Sequence, residues 1–201
     1  MDHRIDKYIH IIEQLGSCPP NIPVSKFSGL IIDNFVDYNI ANYIQPGSQM
    51  HKGVIGCWMS HKNLIKKYSD STHTDGWTLI LEDDIIINPY FWIYLHGLEP
   101  LQDADIIFFD TCHHPIDNQY IIDQNLKIYN IYTSFPIFVG THCYAIKNSS
   151  LNKVYNILDG VVTYKDIDGY YFDNNHIIKY NYQSGLIKIN HNFISDRLTP
   201  L

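Results

Sequence analysis

Ile5, Ile9 and Ile12 recur at helical spacing in "RIDKYIHIIEQL", which predicts an amphipathic first helix with those isoleucines on its apolar face. "CPPNIP" breaks it, and "FSGLIID" (27–33) reads as a short strand ending in an acid. After the turn "QPGSQ", the stretch "HKGVIGCWMSHKNLIKKYSD" puts Gly53, Gly56, Cys57, Ser60, Leu64 and Tyr68 on one helical face, small at its N-terminal end. "GWTLIL" is apolar without alternation, as expected of a strand covered on both faces. "NPYFWIYLHGLEP" predicts a short helix with Pro89 near its start, and "ADIIFFD" (104–110) a second buried strand ending in an acid. "LKIYNIY" (126–132) and "GTHCYAIK" (140–147) read as further strands. "NSSLNKVYNIL" reads as a helix capped by Asn148 or Ser149, and the remainder as a short helix and two small strands.

Alternating strands and helices with short connections describe a layered α/β domain, in which ligands gather at the carboxyl ends of strands. At 201 residues and 45% hydrophobic, with no internal repeat or linker, the chain reads as a single domain over 1–201. The net charge of −7, from 14 basic and 21 acidic residues without a Lys/Arg stripe, argues against a nucleic-acid partner and suits a cation or a neutral sugar-like ligand. No apolar run has transmembrane length and "MDHRIDKYIHIIEQLG" is too polar for a signal peptide, so the expectation is a cytoplasmic chain. Cys18, Cys57, Cys112 and Cys143 form no C-x-x-C pair and read as free thiols. The bias to Ile, Asn and Tyr (16 Tyr) is that of AT-rich coding DNA, as in some bacteria and large viruses.

The chemistry concentrates in "WTLILEDDIIIN", where Glu82, Asp83 and Asp84 follow a buried strand. Three adjacent carboxylates at the end of an apolar run lose hydration and repel one another, so either they sit where the strand meets solvent or something positive holds them. Glu82 and Asp84, two apart on an extended segment, point the same way and could share a hard Mg²⁺ or Mn²⁺ ion; a solvated acidic strand end explains them equally well. Phosphoryl transfer through an aspartyl nucleophile would need D-x-D-x-T after the strand, and here Glu82 and Ile86 occupy the Asp and Thr positions. "TCHHP" (111–115) offers Cys112, His113 and His114, but adjacent residues rarely converge on one zinc and no second ligand pair stands at zinc spacing.

"KGVIGCWMSH" followed by "WTLILEDDIIIN" resembles glycosyltransferase family 25, whose members carry a G-E-I-G-C-x-x-S-H helix and then a hydrophobic strand ending in E-D-D. The match covers Gly53, Gly56, Cys57, Ser60 and His61, then Leu79 to Asp84, with Val54 in place of the usual Glu. "DADIIFFD", "GTHCYAIKNSSLNKVYNIL" and "DIDGYYF" are similar to softer downstream motifs, and Asp33 in "LIIDN" falls on the family's A-v-D-G with Asn34 replacing Gly.

The resemblance implies a GT-A-like (Rossmann-like) nucleotide-diphospho-sugar transferase sandwich with a mostly parallel central sheet. It implies a metal-dependent glycosyltransferase that takes a hexose from a UDP-sugar to a glycan or glycoprotein acceptor. Mn²⁺ or Mg²⁺ would be held by Glu82 and Asp84, with His191 as a third ligand and Asp83 near the sugar or ribose. Asp168 would be the base for the acceptor hydroxyl, with Asp110 second; an ordinary acid at a helix start is the other reading of Asp168. Gly53, Gly56, Lys52 and Asp33 would line the nucleotide, although close helix packing accounts for the glycines as well. His61 reads as a buried positioning group. The family opens with a strand that has no counterpart before "MDHRIDKYIHIIEQL", so a sheet edge could be left for a partner or second copy. A non-catalytic glycan-binding or scaffold relative therefore stays open beside the enzyme.

Overall fold

The computed structural model describes residues 4–32, 52–70, 74–97, 103–111, 121–123, 128–130, 140–159 and 166–193. Asp33 and the Cys112–His114 stretch lie outside them. In chain order come α1 (Ile5–Leu15), α2 (Lys52–Ser69), β1 (Trp77–Leu81), β2 (Ile85–Ile87), α3 (Tyr90–Gly97), β3 (Ile106–Phe109), β4 (Ile121–Asp123) and β5 (Ile128–Asn130). These are followed by β6 (Cys143–Lys147), a 3-10 turn, α4 (Leu151–Asp159), α5 (Ile167–Asp173), β7 (Lys179–Tyr182) and β8 (Ile187–Ile189).

The central sheet runs β1-β6-β3-β7-β5-β4, and β2 and β8 form a separate antiparallel pair. The expectation of a mostly parallel sheet is corrected: the sheet is mixed, and among the described residues only β3 and β7 pair in parallel. The cause is β6, which enters antiparallel between β1 and β3. Because β1 and β3 are both antiparallel to β6, and β7 is parallel to β3, the carboxyl ends of β1, β3 and β7 still share one edge. The rule that ligands gather at such an edge therefore survives the change of sheet type.

The continuous apolar runs are explained by cover on both faces. Ile106, Phe108, Tyr144 and Ile146 pack towards α2 and α4, while Ile107, Phe109, Cys143 and Ala145 pack towards α3 and the β2–β8 pair.

Three local expectations fail for identifiable reasons. Residues 27–32 are not a strand: the Leu30 N–H is taken by the Ser60 hydroxyl (2.7 Å), so this segment is fastened to α2 instead. The first helix forms, but Ile5, Ile9 and Ile12 are 64%, 54% and 51% exposed. Its inward face carries Lys7, His10, Ile11, Gln14 and Leu15, because polar partners wait there. His10 Nε2 donates to the Ile85 carbonyl (2.7 Å) and the Ile87 N–H donates to Gln14 Oε1 (2.9 Å), so α1 closes the outer edge of β2. Nor does Asn148 cap α4: its side chain accepts from the Thr78 hydroxyl and donates to the Asp75 carbonyl, tying the turn to β1.

Candidate functional site

Glu82, Asp83 and Asp84 leave β1 at the shared carboxyl edge and line a cavity of about 1210 Å³ bounded by α1, α2 and β1. The positive groups come from the two helices. Lys7, only 3% exposed on α1, places its ammonium 3.2 Å from Asp84 Oδ2 and 3.4 Å from Asp83 Oδ1. His61 on α2 places Nε2 3.3 Å from Glu82 Oε1, while its Nδ1 and the Tyr144 hydroxyl share a hydrogen bond of 2.7 Å.

Burial opposes a charge on His61, but hydrogen bonds to Cys57 and Glu82 outweigh it and the imidazole is pushed up to about 10. Burial, and then the charge of Glu82, hold the Asp84 carboxyl above its ordinary value, against the pull of Lys7. Among the described residues, Lys7 thus faces Asp83 and Asp84, and His61 faces Glu82.

Glu82 is fixed further by the loop before β6. Its N–H donates to the His142 carbonyl (2.9 Å) and its Oε1 accepts from the Thr141 hydroxyl (2.7 Å). The preceding residue, Gly140, has φ +104°, and a Cβ there would stand 2.7 Å from the His142 ring, so glycine is required. The Gly140 N–H donates to Asp168 Oδ2 (2.8 Å), and Asp168 Oδ1 accepts from Gly169 N–H (2.8 Å). One run of contacts therefore joins Asp168, Gly140, Thr141, Glu82 and His61.

Asp110, the second acid considered as a base, is tied to the loop before β8. It turns the chain out of β3 with φ +57°, and its carboxylate accepts from the Ser184 hydroxyl and the N–H groups of Gly185, Leu186 and Ile187 (2.6–3.1 Å). Three of these bonds fall on Oδ2 and one on Oδ1, so this buried carboxylate anchors the loop before β8.

His191 is exposed just after β8, beside the acids along the chain, since the Asn190 N–H donates to the Asp84 carbonyl (2.7 Å). Glu82, Asp84 and His191 nevertheless do not converge. Among the described residues, the three side chains whose ligand atoms all come within 4.8 Å of one another are Cys57, His61 and Glu82.

Gly53 lines the cavity near the start of α2, and Lys52 is the first residue of that helix. Gly56 serves close packing: a Cβ there would stand 2.7 Å from the Leu30 carbonyl oxygen. Because backbone, not a flexible side chain, fills that space, Gly56→Ala is expected to cost about 1–3 kcal/mol in urea denaturation. An unchanged midpoint would mean that residues 29–32 are not held against the helix.

Lys7, Thr141 and Tyr144 were not singled out by sequence reasoning. Nothing local marks Lys7, whose partner Asp84 stands 77 residues away. The Cys57–His61 pairing did have a signal, because residues four apart share a helix face.

No helix among the described residues is long and apolar enough to cross a membrane. A family model described as Glycosyltransferase family 25 (LPS biosynthesis protein) matches residues 3–168, a span that ends on Asp168 and includes Lys7, α2 and the acid triplet. No curated protein matches the chain.

Proposed function

The chain belongs to glycosyltransferase family 25, and on that footing we propose that it passes a hexose, galactose or glucose, from a UDP-sugar to a hydroxyl of a glycan or hydroxylated peptide. The observation that carries this reading is the acid triplet at the carboxyl edge of β1, opening on a cavity with room for a nucleotide-sugar. A GT-A-like fold is part of the same proposal, supported by the α/β layering and the shared strand edge.

The donor set suits a hard cation in part. Asp83 and Asp84 offer partly exposed carboxylate oxygens on the cavity wall, and carboxylates there would repel a diphosphate that arrived alone. Glu82 is turned towards His61 and Thr141, and His191 does not join it. In this proposal Asp83 and Asp84 would hold Mn²⁺ or Mg²⁺ together with the diphosphate. Such an ion would offset the charge that develops on departing UDP.

The protein's own part begins with orientation. Lys7 and His61 hold the triplet against its own repulsion, and Thr141 fixes the Glu82 carboxylate. In the transfer the acceptor oxygen bonds to the anomeric carbon and the bond from that carbon to the diphosphate breaks. UDP leaves with the electron pair, and the hydroxyl proton passes to Asp168, the acid joined to this site through Gly140 and Thr141.

Calorimetric titration with UDP, with and without Mn²⁺, tests the donor assignment. Binding that needs Mn²⁺ and is lost in Asp84→Ala is the expected result. Binding without it would leave Lys7 as the sufficient counter-charge, and no binding by folded protein in either condition would overturn the UDP-sugar reading.

A further inference from the structure

We propose that Cys57, His61 and Glu82 form a binding site for a zinc-like transition-metal ion, with one coordination position open to the cavity. Their ligand atoms lie within 4.8 Å of one another, and they come from two elements that the fold holds together, α2 and the end of β1. Cys57 and His61, four residues apart, face the same way from the helix.

The arrangement around the three fits this use. A zinc ion about 2.0–2.3 Å from each donor spaces its ligands roughly 3.3–3.8 Å apart. His61 Nε2 and Glu82 Oε1 already stand 3.3 Å apart. Tyr144 engages Nδ1 (2.7 Å), which orients the ring and leaves Nε2 as the nitrogen facing Glu82, and Thr141 holds Glu82 Oε1 (2.7 Å). Partners of this outer kind set ring orientation and ligand basicity at metal centres.

A Cys–His–acid catalytic triad is the competing arrangement, and it requires the acid and the thiol on opposite ring nitrogens. Here Tyr144 occupies the nitrogen away from Glu82. All three residues line the cavity, so water or a ligand can reach the fourth position.

One thiolate, one imidazole and one carboxylate suit zinc, or cobalt as its spectroscopic substitute, better than manganese. The site is separate from the oxygen ligands Asp83 and Asp84, and it stands whether or not the chain transfers sugar. Bound there, the ion would offset the charge of Glu82 and fasten the helix to the strand end.

The test uses the full chain freed of metal by a chelator and titrated with Co²⁺ and with Zn²⁺. One equivalent of Co²⁺ should give a thiolate-to-cobalt charge-transfer band and tetrahedral d–d absorption, both abolished by one equivalent of Zn²⁺. Zn²⁺ should also slow alkylation of Cys57 by iodoacetamide at least tenfold, read by peptide mass spectrometry, without changing the rate at Cys18. Cys57→Ser should weaken Zn²⁺ binding by more than about 100-fold. If that variant folds poorly, the alkylation result on the parent chain decides by itself. Absence of the cobalt band from folded protein, or a Cys57 alkylation rate indifferent to Zn²⁺, would overturn the site.

Discussion

Asp168→Asn is expected to lower the transfer rate by about 10²–10⁴-fold, the usual contribution of a positioned general base, while UDP binding is kept. The substitution preserves shape and leaves one oxygen that can accept a backbone N–H. It removes the group able to take the acceptor proton. In the parent, the two Asp168 oxygens accept from Gly140 and Gly169 N–H, so the amide must turn its NH₂ towards one of those donors. That local conflict costs about 1–3 kcal/mol of stability and is visible in a urea titration. A structural role alone would give that stability loss with little change in the rate per folded molecule. Unchanged turnover would leave Asp168 as the acid that positions Gly140, and would move the base elsewhere. Asp110 is the control: with four donors on its carboxylate, its loss should appear first as instability.

β1 and β3 were legible because their cover on both faces writes itself as uninterrupted Ile, Leu and Phe, as in "TLIL" and "DIIFF". Their direction was not legible. Apolar runs of this kind say nothing about whether the next strand returns beside them, and β6 does so between β1 and β3. The three-residue strands β2 and β4 fall below what periodicity resolves. α1 shows a different limit. Its isoleucines form the better apolar stripe, yet the helix turns Lys7, His10 and Gln14 inward, because partly buried acids and an open strand edge reward polar contacts more than the stripe rewards burial. At the site, the acid triplet and Asp168 were visible as residues. The groups that give the triplet its surroundings, Lys7, Thr141 and Tyr144, come from distant segments whose local sequence carries no signal.

Lys7→Met should destabilise the protein by about 3 kcal/mol at neutral pH, the lower end for breaking a buried ion pair because Asp83 remains partly exposed. Methionine fills much the same volume, so the loss should come from charge more than from packing. The pH dependence separates the two. Burial and the charge of Glu82 hold the Asp84 carboxyl above its unfolded value, so the folded state binds that proton more tightly. Stability from this group is therefore greatest in acid and falls as pH rises through the raised value. Lys7 opposes that shift, and removing it should raise the carboxyl further. The deficit of Lys7→Met should be largest at neutral pH and shrink as the pH is lowered and Asp84 takes up its proton. Adding Asp84→Asn to Lys7→Met should recover at least half of the loss, since it removes the charge left without its cation. Urea denaturation of the parent and both variants, at neutral and acid pH, measures this directly. An equal deficit at both pH values, with no recovery in the double variant, would mean that Lys7 contributes through its stem alone and that the triplet finds its counter-charge elsewhere.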